Sequence, residues 1–286
     1  MKIFRKVAVA LAVVFMCSGF MSITSHAGEY ILFENPEGFG YYSYADMYPD
    51  LYQAYGYDKN KLWSHYVNNG FEEGRIAMVD RRSILTVENF DSARYATENP
   101  DVAAAVGTDP YALLMHYKNY GYLEGRQVYS TDVRIQGVLD TINVADNITN
   151  SSMSEMQKVL AIHDWMCYNL TYDYTYSKYS YLNAISEGTA VCQGYAELFD
   201  LFMHIVGIES KIVTGYGTNG LQSGLHAWNE VIIGGVTYAI DVTWDDMGEY
   251  GIPVRYNYFL ITPQQMSADH WEDDYYVAYK YIYIHR

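Results

Sequence analysis

The pair Gly234-Gly235, set between His226-Ala227-Trp228-Asn229-Glu230-Val231-Ile232-Ile233 and Val236-Thr237-Tyr238-Ala239-Ile240-Asp241-Val242-Thr243, constrains this fold more than any other feature. Two successive glycines accept the positive φ values of a tight turn, and the flanking segments are rich in β-branched and aromatic residues. The stretch therefore reads as two antiparallel strands joined by a two-residue loop. Pairing Ile233 with Val236 puts Trp228 opposite Asp241 and His226 opposite Thr243. His226 and Asp241 become diagonal neighbours on one face, within reach of each other's side chains. Register decides this, because one more residue in the turn would send them to opposite faces.

A second element supplies the missing chemistry. Residues 191–206 carry Tyr195, Leu198, Phe199, Phe202 and Ile205 at helical spacing, and Gly207 is a natural stop. Cys192 falls in the first turn of that helix. Unsatisfied N–H groups and the positive end of the helix dipole favour a thiolate there. The same N–H groups can receive the negative oxygen that develops when a thiolate attacks an acyl carbon. Gly194 is expected to remove bulk beside the sulfur. A lone cysteine near a helix start is usually a buried small hydrophobe. Cys192 is followed in order by His226 and Asp241, so nucleophile, base and orienter are all supplied. These three are the expected catalytic residues.

The start of the chain bears on where such chemistry would happen. Lys2, Arg5 and Lys6 precede the apolar run 7–15, and Ser25-His26-Ala27 fits a small-x-small cleavage site. Residues 1–27 thus read as a signal peptide, too short in its apolar run to span a bilayer. The expected location is secreted or at the cell surface. Removing the leader's three cations takes the formal charge from −16 to about −19. Such a chain is expected to avoid nucleic acid and anionic lipid. Cys167 and Cys192 are the two cysteines left after cleavage, and a bridge between them would silence the site.

Residues 39–75 align without a gap with 90–126 at an offset of 51. Tyr44-Ala45 matches Tyr95-Ala96, Pro49-Asp50 matches Pro100-Asp101, and Asp58 matches Asp109. His65-Tyr66 matches His116-Tyr117, and Glu73-Gly74-Arg75 matches Glu124-Gly125-Arg126. Residues 39–126 are therefore two copies of one supersecondary unit. Each copy is expected to be a helical hairpin with Asp58 or Asp109 as N-cap and Gly70 or Gly121 as the C′ residue. The copies resemble "NPDV … HY … G … EGR" repeats of bacterial exported and surface proteins, which would allow surface attachment. His65 and His116 have no second ligand nearby in sequence and are expected to pack within their units. The 32 tyrosines fill small helical cores on this reading.

Residues 127–150 form a linker helix, and Ser152 with Glu155 reads as a capping box opening the helix that ends near Asn169. His163, Asp164 and His204 are expected to be structural. His270, among Asp269, Glu272, Asp273 and Asp274, reads as part of a solvated acidic tail. No metal or cofactor motif is present, and no EF-hand-like spacing that would hold calcium.

The segments around Cys192, His226 and Asp241, with Tyr256-Asn257-Tyr258-Phe259-Leu260 and Met266-Ser267-Ala268-Asp269-His270, resemble the transglutaminase-like superfamily over about residues 150–275. The resemblance implies an α+β fold: a papain-like transglutaminase core, with the cysteine-bearing helix packed on an antiparallel sheet, preceded here by small all-α repeats. The catalytic domain would span 151–286. The resemblance also implies Cys192 as nucleophile, His226 as general base and then acid, and Asp241 as orienter. Trp228 and Trp244 would wall the site, and Tyr181 would help polarise the acyl oxygen. The implied activity is acyl transfer from amide bonds of proteins or peptides, cell-wall peptides among them, to water or to an amine. A cysteine peptidase and a crosslinking transglutaminase are both compatible with these residues. The alternative is a non-catalytic cell-surface binding protein whose repeats carry the function.

Overall fold

The computed structural model describes residues 39–70, 73–248, 251 and 254–273; the expected signal peptide lies outside these residues. Each copy of the 51-residue unit folds as three short helices closed by a π-helical turn, not as a two-helix hairpin. The first has α1 (Tyr41–Met47), α2 (Pro49–Tyr55), α3 (Lys59–His65) and the turn Tyr66–Gly70. After the four-residue helix α4 (Arg81–Ile84), the second repeats the plan with α5 (Ser92–Glu98), α6 (Pro100–Val106), α7 (Pro110–His116) and Tyr117–Gly121. Pro49 and Pro100 sit at the first turn of their helices, where a missing N–H costs nothing. Asp58 and Asp109 accept the capping N–H groups of Lys61 and Ala112, as their spacing predicts.

Gly70 and Gly121 have a different role from the expected C′ residue. Neither adopts positive φ. A Cβ on Gly70 would meet the Tyr44 hydroxyl, and a Cβ on Gly121 would meet that of Tyr95. Those hydroxyls pair with His65 Nδ1 at 3.1 Å and His116 Nδ1 at 3.2 Å, which places both histidines inside their own units. Arg75 grips Asp50, and Arg126 grips Asp101, each with two guanidinium nitrogens.

The two copies differ in where their cores go. Tyr44, Leu51 and Leu62 make a separate small core with Phe39. Tyr95, Val102, Leu113 and Tyr117 merge into the main core of the molecule. Within residues 127–150, α8 (Val133–Ile148) buries Val138, Leu139 and Ile142 in that same core. α9 (Glu155–Asn169) follows, capped by Ser154 with Gln157, two residues on from the predicted box.

The remainder is the α+β body. β1 (Thr171–Tyr172), α10 (Tyr181–Glu187) and β2 (Thr189–Ala190) lead into α11 (Cys192–Val206), of which twelve residues are buried. β3 (Glu209–Thr218), β4 (Ser223–Ile233), β5 (Val236–Ile240) and, after the short helices α12 (Val242–Asp245) and α13 (Pro263–Met266), β6 (His270–Glu272) form an antiparallel sheet in the order β5-β4-β3-β6. Leu198, Phe199 and Phe202 of α11 share one core with Val231 and Ile240 of the sheet. Asn229 of β4 ties the two together by donating to the Ala196 carbonyl at 3.0 Å. At roughly 1.5–3 kcal/mol for each large apolar side chain taken out of water, this shared core is what holds the N-terminus of α11 against the sheet.

Candidate active site

The hairpin register is the predicted one. Ile233 pairs with Val236 across Gly234 and Gly235, whose φ values are 57° and 78°. The ladder stops at Asn229 and Ile240 instead of running to Thr243. It stops because the next residue turns its carboxylate on its own backbone: Asp241 Oδ1 accepts the Trp244 N–H at 3.1 Å and caps α12. That leaves Oδ2 free for His226, whose Nε2 lies 2.7 Å away. The diagonal placement read from the sequence is thus realised at a strand end, with one carboxylate oxygen serving the fold and the other the imidazole.

The Cys192 thiol is the next neighbour of the His226 ring after Asp241. Burial alone would push the imidazole toward its neutral form, but the charge and hydrogen bond of Asp241, then those of Cys192, outweigh it and raise its pKa. Asp241 is displaced the other way: burial disfavours its charge, and His226 and then His270 hold it ionised, below the ordinary carboxylate range. Cys192 is half-buried at the first position of α11, and its neighbour Val191 offers no side-chain cap to the N–H groups of that turn. The sulfur therefore sits where unsatisfied donors gather.

Tyr172, which sequence reasoning passed over, is the other partner of Cys192. Its hydroxyl lies beside the backbone and the thiol of that residue, and its pKa is raised, by burial first and then by the charge at Cys192. Two short strands put it there. β1 pairs in parallel with β2, so Tyr172 lies opposite Ala190, two residues ahead of the sulfur. Asp173 N–H donates to the Ala190 carbonyl at 2.9 Å, and the Asp173 carboxylate collects the N–H groups of Thr175, Ser177 and Lys178. The Tyr/Ser-rich loop is thereby folded onto its own start. Tyr181, expected near the acyl oxygen, is instead buried and donates its hydroxyl proton to the Arg134 carbonyl at 3.0 Å, away from the site.

Three further readings change. Gly194 is needed for close packing against β2 and the start of α10: a Cβ there would lie 2.6 Å from the Ala190 Cβ and 2.8 Å from the Ser180 carbonyl oxygen. Cys167 and Cys192 are both free. Cys167 faces the Val242 carbonyl at 3.8 Å and His163 Nε2 at 3.9 Å, while Cys192 faces His226. His270 is no part of a solvated tail. It is 1% exposed on β6, with Nε2 3.1 Å from Asp241 Oδ2. The polar residues around it masked the signal, because a three-residue strand is too short to show an alternation in the sequence.

Trp228 and Trp244 do wall the pair, with ring centroids 6.1 Å and 5.1 Å from that of His226. Gly217 makes room for this, since a Cβ there would lie 2.9 Å from the Trp244 ring. The ligand atoms of His226, Asp241 and His270 lie within 4.8 Å of one another, a spacing a metal could bridge. Each is already satisfied by a hydrogen bond to another of the three, so the set reads as a relay of proton donors and acceptors.

A thiol, an imidazole and a buried carboxylate in this arrangement can open an acyl compound by nucleophilic attack. Residues 142–244, which include Tyr172, Cys192, His226 and Asp241, match the transglutaminase-like superfamily. Kyphoscoliosis peptidase of Homo sapiens is similar at 26% identity over 171 residues, 53% of this chain and 26% of that protein. The Mus musculus form is 27% identical over 151 residues, 46% of this chain and 23% of the relative. The chain thus spans about a quarter of the length of these curated relatives. A solved candidate cysteine protease from Cytophaga hutchinsonii is similar at 27% identity and a TM-score of 0.34, over 38% of each chain. His270 lies beyond the matched stretch, so the match alone does not point to it.

Proposed function

We propose that this protein is an exported, thiol-dependent acyl-transfer enzyme acting on amide bonds of proteins or peptides. One observation carries the reading: His226 is gripped by Asp241 through Nε2 at 2.7 Å while the same ring neighbours the Cys192 thiol at a helix start. In the proposed reaction the Cys192 sulfur attacks the amide carbonyl and forms a C–S bond. The Cys192 N–H and the Tyr172 hydroxyl would serve as donors to the developing oxyanion. His226, held cationic by Asp241, gives its proton to the departing amine as the C–N bond breaks, leaving a thioester. The ring then takes a proton from water or from a primary amine, which attacks the thioester and regenerates the thiol.

Water as acceptor makes the enzyme a peptidase or peptidoglycan-peptide hydrolase, and the relatives named as peptidases favour it. A lysine-like amine makes a crosslink. The signal peptide would deliver the enzyme outside the cell and the N-terminal units would hold it at a surface. The test is a thiol-directed acyl probe under reducing conditions, followed by incubation with peptidoglycan stem peptides, with and without a primary amine, and mass analysis. Labelling of the wild type but not of Cys192→Ala is expected. Absence of labelling in the wild type, or equal labelling of the variant, overturns the reading.

A further inference from the structure

The carboxylate that orients His226 is itself held from the far side. Asp241 Oδ2 receives His226 Nε2 from β4 at 2.7 Å and His270 Nε2 from β6 at 3.1 Å, while Oδ1 receives the Trp244 N–H from α12. Three elements therefore converge on one side chain. His270 is anchored in turn: its Nδ1 lies 2.7 Å from Asp269 Oδ1, and Asp269 Oδ2 accepts the Tyr258 hydroxyl at 2.7 Å. The backbone keeps this arm in place through the Gly217–His270 pairing of β3 with β6 and the Thr218 N–H bond to the Asp269 carbonyl. Trp244, Trp228, Tyr258 and His226 enclose the His270 ring at centroid distances of 4.3, 5.1, 5.3 and 5.3 Å. The titratable groups facing it are Asp241, Asp269, His226 and Tyr258, and beyond His226 the thiol of Cys192.

We propose that His270, steadied by Asp269, is a positioning residue for the His226–Asp241 pair, fixing the direction of the shared carboxylate oxygen and dividing its charge between two imidazoles. The proposal rests on the reading of Cys192, His226 and Asp241 as catalytic. Its physical basis is the saturation of Oδ2. A buried carboxylate oxygen with both lone pairs occupied cannot swing about its terminal torsion without losing a charge-assisted hydrogen bond. With His270 removed, one lone pair is released, the carboxylate can rotate, and the imidazole it holds can tilt away from the sulfur. Displacements of about 1 Å in such a constellation can cost on the order of a hundredfold in rate. A second consequence concerns charge. A carboxylate that also accepts from His270 supports the His226 cation less than an undivided one would, so His226 should become more basic when its competitor is gone.

The test compares His270→Phe, which keeps a ring of similar size without donors, with His270→Gln, whose amide can still donate to Oδ2, and with Asp269→Asn. Acylation by p-nitrophenyl acetate reads the reactivity of Cys192, and NMR titration of the His226 ring reads its basicity. Wild type acylated and Cys192→Ala silent establishes the underlying reading independently; the opposite result sinks that reading and not this arm alone. His270→Phe should lower the acylation rate about ten- to a hundredfold and move the His226 titration to higher pH. His270→Gln should recover the rate to within severalfold, and Asp269→Asn should shift both readouts in the same direction as His270→Phe by less. A folded His270→Phe with the rate and titration of the wild type overturns the proposal. So does an equal loss in His270→Phe and His270→Gln with the His226 titration unmoved, the signature of a merely structural residue. Should His270→Phe fail to fold, Asp269→Asn decides in the same way.

Discussion

Two thiol–imidazole–carboxylate sets lie on either side of the short helix α12, and they behave in opposite ways. In one, Cys192 faces His226, which is held by Asp241 at 2.7 Å. In the other, Cys167 lies 3.9 Å from His163, whose Nε2 is 3.3 Å from Asp245, four residues further along the chain. Asp241 is lowered by its histidines, whereas burial raises Asp245 against the pull of His163. The thiols differ for a reason visible in their helices. Cys192 is the first residue of α11, at the positive end of a helix dipole, and is half-buried. Cys167 is in the last turn of α9, at the negative end, with 3% of its surface exposed. Burial, then the charges of Asp246 and Asp245, push the Cys167 thiol up. The same three residue types thus make the set proposed as reactive where the sulfur is at a helix start and half-buried, and a structural one where it is neither.

The sharpest way to break the comparison is to turn each carboxylate into something that cannot hold an imidazolium. Asp241→Asn should lower the acylation rate of Cys192 on the order of 10⁴-fold, the scale found when a triad carboxylate elsewhere becomes its amide. Cooperative unfolding should survive, because the amide oxygen can still cap α12. A stopped-flow acylation assay beside thermal unfolding checks this, and a loss of under tenfold would remove Asp241 from the catalytic set. The matching change on the other side is Asp245→Ala. It strands His163, which is fully buried, together with the N–H groups of Asn257 and Tyr258 that Asp245 accepts. Breaking a buried pair of this kind costs about 3–5 kcal/mol. Chemical denaturation should show that loss, with a smaller effect on the acylation rate of whatever remains folded.

A change between the two sets in size is Gly194→Ala. Its Cβ has nowhere to go but against backbone, at Ser180, and against the Ala190 side chain. The first turn of α11 must shift by several tenths of an ångström, carrying Cys192 with it. Acylation should fall by about ten- to a hundredfold while the Cys167 region is untouched. A wild-type rate in a folded Gly194→Ala would show that the turn has slack.

What was legible beforehand follows from the range over which sequence patterns act. The glycine pair sets the register of a hairpin through contacts eight or fewer residues from the turn, so the His226–Asp241 pairing could be derived in full. Cys192 could be placed at a helix start because apolar spacing and Gly207 bound the helix locally. His270 could not, since it reaches Asp241 through a pairing of β6 with β3 that joins residues 53 apart. Tyr172 was hidden for a similar reason: a two-residue parallel bridge has no periodicity to detect. Gly70 and Gly121 were misread because a Schellman-type stop and a close approach to a tyrosine hydroxyl both demand glycine. The Asp245–His163 pair was hidden because its members lie 82 residues apart.

The smallest expected effect completes the contrast between the two thiols. Cys167→Ala removes one buried sulfur whose only polar contacts are long, so its cost should be about 1 kcal/mol, the usual size for a modest core truncation. The acylation rate should stay at the wild-type value, because the Cys167 sulfur touches His163 and the Val242 carbonyl and not His226. Alkylation gives the complementary readout. In the native protein iodoacetamide should modify Cys192 and spare Cys167, whose pKa is raised and whose sulfur is closed off; in denaturant both should react at similar rates. Native-state modification of Cys167 at a rate close to that of Cys192 would mean that α9 and α12 open readily. The distinction between a reactive and a structural set would then rest on dynamics instead of on the position of each cysteine along its helix.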